Sequence, residues 1–298
     1  MAGTITAKDV AELRARTGAG MMDCKKALEE SAGDMDAAAD LLRKKGIAKA
    51  DKRADRAASE GQIVAWTSPD STVAAMIELN CETDFVGRND DFIALAKQVV
   101  AQVAQDAAVD GLVAVGADGA YLGTAWHADP TQTVGEFVKA AAAKTGEKVE
   151  LRRIARFATS GVVGAYQHFN GKAGVIADVV GGKGEQSVQL AKHVSEHIAA
   201  GVPAVAVAVD RSGVSAEFIA KEREIFIAQS IESGKPEAIA QKMVDGRIAK
   251  LLAEITLLGQ PWVRDDKQTI GDLVKATAKD AGQPLTVSRF VRFKMGES

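Results

Sequence analysis

The spacing of hydrophobic residues predicts three short helices within the first 46 residues. Thr6 is a natural N-cap for the first helix, and Asp9 lies three residues later, where a capping box places an acidic or amide side chain. Breaks at Gly18 and Gly33 divide the helical pattern, and Gly46 is expected to end the third helix. A unit of about 45 residues has a small core, so we expect an accessory module rather than a catalytic domain.

The hydrophobic pattern of the remaining chain occurs twice. Residues 132–157, QTVGEFVKAAAAKTGEKVELRRIARF, align without a gap with residues 268–293, QTIGDLVKATAKDAGQPLTVSRFVRF, and 11 of 26 positions are identical. Two upstream pairs also match: residues 61–66 resemble 161–166, and residues 95–99 resemble 190–194. The sequence offsets are 100, 95 and 136, so the second copy carries 41 additional residues (136 minus 95) before its last helix.

Each copy is predicted to contain two strands, a helix, a variable insert, a helix and a last strand. The fold class is therefore α+β, with two three-stranded antiparallel sheets that carry helices and pack against each other. The expected domains are the module (1–46), a basic linker (47–60), the first copy (61–157), the second copy (158–213 and 259–298) and an inserted hairpin (214–258).

The insert has the pattern of two antiparallel helices, predicted over residues 216–233 and 236–258. Ser233-Gly234-Lys235-Pro236 separates them, because Gly suits a helix end and Pro the first turn of the next helix. A coiled-coil seam with steps of four and three residues is expected at Val244, Ile248, Leu251, Ile255 and Leu258. The best stripe of the first helix is Phe218, Ile225 and Ala228.

Composition excludes several function classes. A formal net charge of -3 argues against bulk nucleic-acid binding, and 5% aromatic residues leave little material for base stacking. Two cysteines, Cys24 and Cys81, form neither a zinc ribbon nor a disulfide framework. The chain begins without a secretory pattern and its apolar runs are too short for a membrane span, so we expect a cytoplasmic protein with reduced thiols.

A basic stretch over residues 43–56 holds seven basic and two acidic residues. It could be a nucleic-acid or ribosome patch, but a solvated helix end followed by a linker is the favoured interpretation.

Two motifs resemble catalytic or phosphate-binding sites. His193-Val194-Ser195-Glu196-His197 matches the H-x-x-E-H zinc pattern, but Gln98 and Gln102 stand at the corresponding places of the first copy, which favours a polar helix face. Residues 181–184, Gly-Gly-Lys-Gly, lack the remaining residues of a phosphate loop and predict a strand-to-helix turn. We expect no metal and no cofactor.

A polar and aromatic segment, residues 81–92, joins a predicted strand to a predicted helix. Thr83 and Asp84 suit the start of a helix, and Phe85 follows them directly. Two interpretations stay open from the pattern alone. Asp84 only caps while Phe85 packs inside, or the segment presents an acid beside an aromatic ring to a partner.

Three further motifs carry a resemblance to a known family. TGAGMMDCKKAL at residues 17–28 and LNCETDFV at residues 79–86 resemble the two signatures of bacterial translation elongation factor Ts, and Tyr166-Gln167-His168 also matches. The resemblance covers essentially the whole chain. It implies a guanine nucleotide exchange factor that binds elongation factor Tu, both carrying GDP and nucleotide-free, without a nucleotide site, a direct nucleic-acid contact or a membrane contact of its own. It does not fix the oligomeric state.

The resemblance also implies roles for individual residues. The first 46 residues would form a ubiquitin-associated-like module, with Leu13, Arg14, Met21 and Met22 facing elongation factor Tu. Thr83, Asp84, Phe85 and Val86 would dislodge Mg²⁺ from the partner, and His168 would lie near the partner's phosphate loop.

Two departures and two alternatives accompany the resemblance. Some members carry a further C-terminal helical module, which is not expected here, and residues 106–130 are longer and richer in Gly than a simple connection requires. The main alternative function is a translation-associated adaptor that binds a partner through its N-terminal module without driving exchange. A metallopeptidase built on His193 and His197 is the other.

Overall fold

Three helices form the N-terminal module. The computed structural model describes residues 5–51, 53–115, 119–234 and 236–297. The helices are α1 (Ala7–Thr17), α2 (Met21–Glu30) and α3 (Met35–Asp51). Thr6 and Asp9 form the expected reciprocal capping box, and Gly18 ends α1 in the left-handed region at φ 68°. The module has its own small core, formed by Val10, Leu13, Cys24, Ala27, Leu28 and Ala38.

Gly46 does not end the third helix, contrary to the sequence prediction. Helix α3 continues to Asp51 and packs on helix α6 (Val134–Thr145). A Cβ added at Gly46 would lie 2.9 Å from the Cβ of Ala143, so glycine allows a close approach of the two helices there. The Arg53 guanidinium also donates to the Ala142 carbonyl at 3.1 Å. Within the basic stretch, Lys52 lies outside the described residues.

The first sheet has four antiparallel strands in the order β1-β2-β6-β3, not the three that were predicted. The elements of this first half along the chain are β1 (Glu60–Thr67), β2 (Val73–Cys81), α4 (Asp84–Gly87), α5 (Asp90–Gln105), β3 (Gly111–Ala114), β4 (Ala125–Trp126), β5 (Asp129–Thr133), α6 and β6 (Val149–Ala158). Strands β4 and β5 pair with each other as a separate two-stranded sheet.

The extra strand β3 comes from the long Gly-rich stretch, of which residues 116–118 lie outside the described residues. The buried Arg156 side chain on β6 donates to the carbonyls of Ala104 and Val109 at 2.9 and 3.2 Å. These two contacts hold the chain beside β6, where residues 111–114 then pair with it. The strand thereby covers a sheet edge that would otherwise present unpaired backbone groups.

The second sheet has the predicted three strands, in the order β11-β8-β7. The elements of this second half along the chain are β7 (Val162–Gln167), β8 (Ala173–Val180), α7 (Glu185–Ala200), α8 (Ala216–Glu232), α9 (Glu237–Ile255), β9 (Pro261–Trp262), β10 (Asp265–Thr269), α10 (Ile270–Asp280) and β11 (Thr286–Lys294). Strands β9 and β10 pair with each other as a separate two-stranded sheet. As expected, the Gly-rich residues 181–184 form the turn between β8 and α7.

The two sheets pack against each other and carry their main helices on the outer faces. Met76 and Phe157 of the first sheet meet Ile176 and Phe293 of the second in one buried cluster. Two further clusters lie under the helices, one for each sheet. The buried Glu78 carboxylate accepts from Arg153 Nε at 2.6 Å, so a charge on the central strand is paired rather than isolated.

Corresponding contacts recur in the two halves at the predicted sequence offsets. The Gln102 side chain accepts the His127 backbone N–H at 2.9 Å. In the other half, His197 Nδ1 accepts the Val263 N–H at 3.2 Å. The offsets are 95 for the helical residues and 136 for the backbone donors, as in the aligned sequences.

The inserted residues form an antiparallel helical hairpin, but its seam differs from the predicted one. The connection includes Lys235, which lies outside the described residues. Val244 and Ile248 are buried as expected, whereas Leu252 takes the place predicted for Leu251, and Leu258 packs on the core of the second half. The first helix contributes mainly Ile219, Phe226 and Ile227; the predicted Phe218 and Ile225 are exposed.

The base of the hairpin is joined by backbone hydrogen bonds. Val207 N–H donates to the Ile255 carbonyl, and the N–H groups of Leu257 and Leu258 donate to the carbonyls of Ala208 and Val209, each at 2.9 Å. Leu257 is fully buried in the core of the second half. The insert that can be removed without disturbing the core therefore ends before Ile255.

Replacing residues 211–254 by a short Gly/Ser linker should leave a folded core, because the backbone pairing at the base of the hairpin is kept. A matched variant that removes residues 211–258 should be less stable by about 2–5 kcal/mol, the usual cost of losing a buried leucine. Urea denaturation followed by circular dichroism compares the two. An unfolded product of the shorter deletion would show that the hairpin belongs to the core.

Candidate functional site

An exposed aromatic residue lies at the end of the central strand β2. Residues Thr83–Val86, called the tip below, begin two residues after Cys81, and all of them except Thr83 belong to the single helical turn α4. Thr83 caps this turn by accepting the Val86 N–H at 3.4 Å. The Phe85 side chain is 83% exposed, so the interpretation in which it packs inside the core is wrong.

The tip is held from the side by a carboxylate 64 residues further along the chain. Glu147 accepts the backbone N–H groups of Glu82 and Thr83, both at 3.0 Å, and the Thr83 hydroxyl at 2.6 Å. Glu82 in turn accepts the Lys148 N–H at 2.6 Å, and this bond, followed by the contact with Arg56, lowers the pKa of the Glu82 carboxyl. Residues 82–83 and residues 147–148 therefore hold each other by hydrogen bonds in both directions, close in sequence to the exposed ring.

The tip is also supported from beneath. The Cys81 thiol donates to the Thr83 carbonyl at 3.1 Å, and burial raises the pKa of this thiol to about 12, so it stays protonated and unreactive. A Cβ at Gly87 would lie 3.2 Å from the Gly61 Cα, which brings α4 close to strand β1. Asp84 forms an ion pair with Arg88 at 3.0 Å on the exposed side.

The other predicted partner contacts lie on separate elements. Arg14, Met21 and Met22 are exposed on the N-terminal module. Leu13, in contrast, is fully buried in the core of the module, so its side chain is not available at the surface. His168 is half-buried at the end of β7, and its Nδ1 is 2.8 Å from the Tyr166 hydroxyl.

The H-x-x-E-H motif has its side chains engaged in structural contacts. His197 is buried between Gln260, 2.9 Å from its Nε2, and the Val263 N–H, while Glu196 pairs with Arg264. The His193 ring lies against the Trp262 ring, with centroids 5.3 Å apart and the planes tilted by 47°. Among the described residues no group of three or more His, Cys, Asp or Glu side chains is arranged to hold a metal ion. The side chains of the motif are therefore held by contacts within the fold.

In the part of the chain that the structure describes, no helix combines the length and apolar character needed to cross a membrane.

An exposed aromatic ring on a supported turn is typical of a surface that binds another protein. The sequence model of the family described as Elongation factor TS matches residues 82–297. The chain is 49% identical over 298 residues to an elongation factor Ts from Thioalkalivibrio sulfidiphilus, covering 99% of this chain and 93% of the relative. It is 46% identical over 297 residues to one from Methylococcus capsulatus, again with 99% and 93% covered. A relative from Chlorobium phaeobacteroides is 42% identical, with 98% of this chain and 99% of the relative covered.

The chain belongs to the elongation factor Ts family. It is a nucleotide exchange factor of protein synthesis that acts on elongation factor Tu, and the adaptor alternative is not favoured. Of the residues around the tip, sequence reasoning missed Glu147. Its contribution depends on a contact 64 residues away, and no local pattern indicates it.

Glu147→Ala should loosen the tip without unfolding the protein. Loss of its hydrogen bonds should lower the free energy of unfolding by about 1–2 kcal/mol. Amide hydrogen exchange at Glu82 and Thr83 should rise more than exchange in β2. Glu150→Ala, on the same β6 end of the sheet, serves as the control. Unchanged amide hydrogen exchange at Thr83 in Glu147→Ala would contradict the role of Glu147.

His197 should make folding stability depend on pH. Burial lowers its pKa in the folded protein, partly offset by the Gln260 hydrogen bond, so the unfolded chain takes up the proton first. The stability is fully present above the ordinary histidine pKa of about 6.5 and decreases as pH falls below it, by at most about 1.4 kcal/mol per pH unit. His197→Gln copies Gln102 of the first half and should remove this part of the dependence. Denaturant titrations between pH 7.5 and 5.5 measure the free energy of unfolding of both proteins. The same change with pH in the parent and in His197→Gln would contradict the role of His197.

Proposed function

We propose that the tip drives exchange by entering elongation factor Tu beside its nucleotide site and dislodging Mg²⁺ from Tu carrying GDP. GDP then leaves, and GTP binding to the nucleotide-free complex displaces this protein. The single observation that carries the proposal is the exposed Phe85 ring on a turn that Glu147 and Cys81 hold in place. A supported ring loses little conformational freedom on binding, which leaves more of its burial energy for opening the partner.

Burial of one aromatic ring does not supply enough free energy to weaken nucleotide binding as far as exchange requires. Coupling between two ligands is reciprocal. An exchange factor therefore weakens nucleotide binding to elongation factor Tu by the same factor by which nucleotide weakens binding of the exchange factor. A thousandfold effect corresponds to about 4 kcal/mol. Burial of one phenylalanine side chain yields about 1.5–3 kcal/mol, so Phe85 alone falls short. Moving Mg²⁺ supplies the remainder, because this ion demands near-ideal octahedral geometry. Val86 and Asp84 are proposed to act with Phe85 in this step.

The N-terminal module is proposed to be ubiquitin-associated-like and to set affinity. Arg14, Met21 and Met22 offer an exposed surface for elongation factor Tu that is separate from the tip. Some contacts have the same binding free energy whether elongation factor Tu carries nucleotide or not. Such contacts strengthen binding to elongation factor Tu without changing nucleotide exchange. The buried Leu13 supports this surface from inside. The module is proposed to include the whole of α3, since that helix is continuous to Asp51.

The core is proposed to be a duplicated unit with one insertion. The matching contacts of Gln102 and His197 support this, as do the capping boxes at Thr133 and Thr269, which are also 136 residues apart. The proposed units are residues 61–157 and residues 158–210 with 255–297, and the hairpin between them is the insert. We propose that the protein acts in the cytoplasm as an exchange factor without catalytic chemistry of its own or direct nucleic-acid contact.

Phe85→Ala should slow the release of labelled GDP from elongation factor Tu by about tenfold or more, because it removes the ring that the partner would bury. The melting temperature should change little, since Phe85 is exposed. Leu112→Ala, an exposed apolar residue on β3, is the matched control and should release GDP at the parent rate. Parent-like release by folded Phe85→Ala would contradict the proposed role of the tip.

A further inference from the structure

Arg153 on strand β6 belongs to the first half, yet its side chain also contacts the second half. Its Nε donates to the Glu78 carboxylate of its own sheet at 2.6 Å, and its Nη2 donates to the Lys294 carbonyl of the second half at 3.1 Å. The guanidinium lies over the Phe293 ring, 4.4 Å from the centroid. One side chain therefore holds an acid of the first half together with a backbone carbonyl and an aromatic ring of the second.

Arg289 on strand β11 makes the same three contacts in the opposite direction. Its Nε donates to the Asp178 carboxylate of the second half at 3.3 Å, and its Nη2 donates to the Ala158 carbonyl of the first half at 3.3 Å. The guanidinium lies over the Phe157 ring, 4.3 Å from the centroid. An ion pair with Asp110 at 2.8 Å adds a further contact with the first half. Each half therefore reaches the other through one arginine.

The two sets of contacts, called the clamps below, stand at corresponding positions of the chain. The residues that β11 contributes follow those that β6 contributes by 136, and the second acid follows the first by 100, which are the offsets of the aligned sequences. Arg153 lies against Phe293, and Phe157 lies against Arg289. Four residues separate Arg153 from Phe157, which sets the clamps about 13 Å apart along the strand. Two contacts this far apart resist rotation of one half on the other, whereas a single contact would not.

The clamps supply what apolar packing between the sheets does not. Burial of apolar surface holds the halves together, but it is non-directional. A guanidinium donates in a fixed planar fork and stacks flat on an aromatic ring, so its partners are fixed in direction as well as in distance. The Arg153 side chain is only 12% exposed, and Phe157 and Phe293 are buried. The clamps therefore lie inside the interface and define the angle between the two halves.

This angle determines where the tip stands relative to the second half. The tip follows β2, the strand that carries Glu78, and a partner contact is expected in the second half at His168. A misplacement of about 1 Å caused by a distant change can lower a rate by about a hundredfold. We propose that Arg153 and Arg289 are positioning residues for nucleotide exchange, which fix the angle between the halves at which elongation factor Tu is engaged. The inference rests on the proposed function of the tip, since the tip is the contact of the first half.

The first part of the test measures the angle directly in Arg153→Lys and Arg289→Lys. Lysine keeps a cation beside each buried carboxylate but lacks the planar fork and the flat stacking surface. Spin labels are attached to Lys97→Cys on α5 and Lys192→Cys on α7, two exposed and corresponding positions on the outer helices. The native cysteines are buried and stay unlabelled. Electron spin resonance should give a narrow distribution of label distances in the parent and a broader or shifted one in both lysine variants.

The second part compares the affinities for nucleotide-free elongation factor Tu and for Tu carrying GDP. The ratio of these affinities is the coupling by which the factor weakens GDP binding. Each lysine variant should lower the ratio and slow saturated release of labelled GDP by about tenfold, equivalent to about 1.4 kcal/mol. Lower stability alone leaves the ratio of the folded protein unchanged. Arg152→Lys is the matched control, because Arg152 pairs with the same Glu78 carboxylate at 3.5 Å, and it should keep the parent ratio and distances.

The Arg289→Lys variant decides the inference, because the Arg289 side chain is 34% exposed and its loss disturbs the core least. A folded Arg289→Lys with the parent distance distribution, or with a ratio within about twofold of the parent, overturns the inference. Failure of both lysine variants to fold also overturns it, since the clamps would then serve folding alone.

Phe85→Ala separates this inference from the proposed role of the tip. It should slow GDP release without changing the distances between the labels. Slow Phe85→Ala beside parent-like lysine variants overturns the inference and leaves the tip in place. Parent-like Phe85→Ala beside lysine variants with altered distances and a lowered ratio contradicts the role of the tip and supports the positioning of the halves.

Discussion

Burial of strand β2 on both faces is the constraint on which the rest of the structure depends. Ile77 points to the helices of the first half, and the adjacent Met76 points to the second sheet. A strand enclosed in this way must be almost wholly apolar or have its charges paired, and Glu78 meets this requirement through Arg153. The tip begins two residues after β2 ends, so the exposed Phe85 lies close to an enclosed strand of the core.

A rigid support is what an exchange factor requires of such a residue. The free energy available for opening the partner cannot exceed the difference between the binding free energies for its open and closed states. Glu147 holds the backbone of the tip at two N–H groups. In the proposed mechanism, a tip held in this way binds the open state of the partner better than the closed state. That difference in binding free energy would weaken the partner's binding of nucleotide.

Features determined by nearby residues were predictable from the sequence, and features determined by distant contacts were not. The capping pair of Thr6 and Asp9 was predicted because its donors and acceptors lie within one helical turn. Gly46 was assigned to a helix end because its actual neighbour, Ala143, is nearly a hundred residues away. The tip was found through its motif, but Glu147 was not, since a lone glutamate after a helix carries no sign of its partner.

Under the proposed duplication, the loop after β8 in the second half corresponds to the loop after β2 in the first half. After an offset of 100, residues 181–184 correspond to residues 81–84, where the loop of the first half begins, and Gln283 corresponds to Glu147 after an offset of 136. Gln283 does lie against this second loop, where any side chain at Gly182 would overlap it. Under the proposed duplication, each loop therefore has its neighbour at the corresponding position of the chain. In the second half glycine lets the turn pack closely, whereas in the first half Glu147 binds backbone N–H groups and Phe85 is exposed.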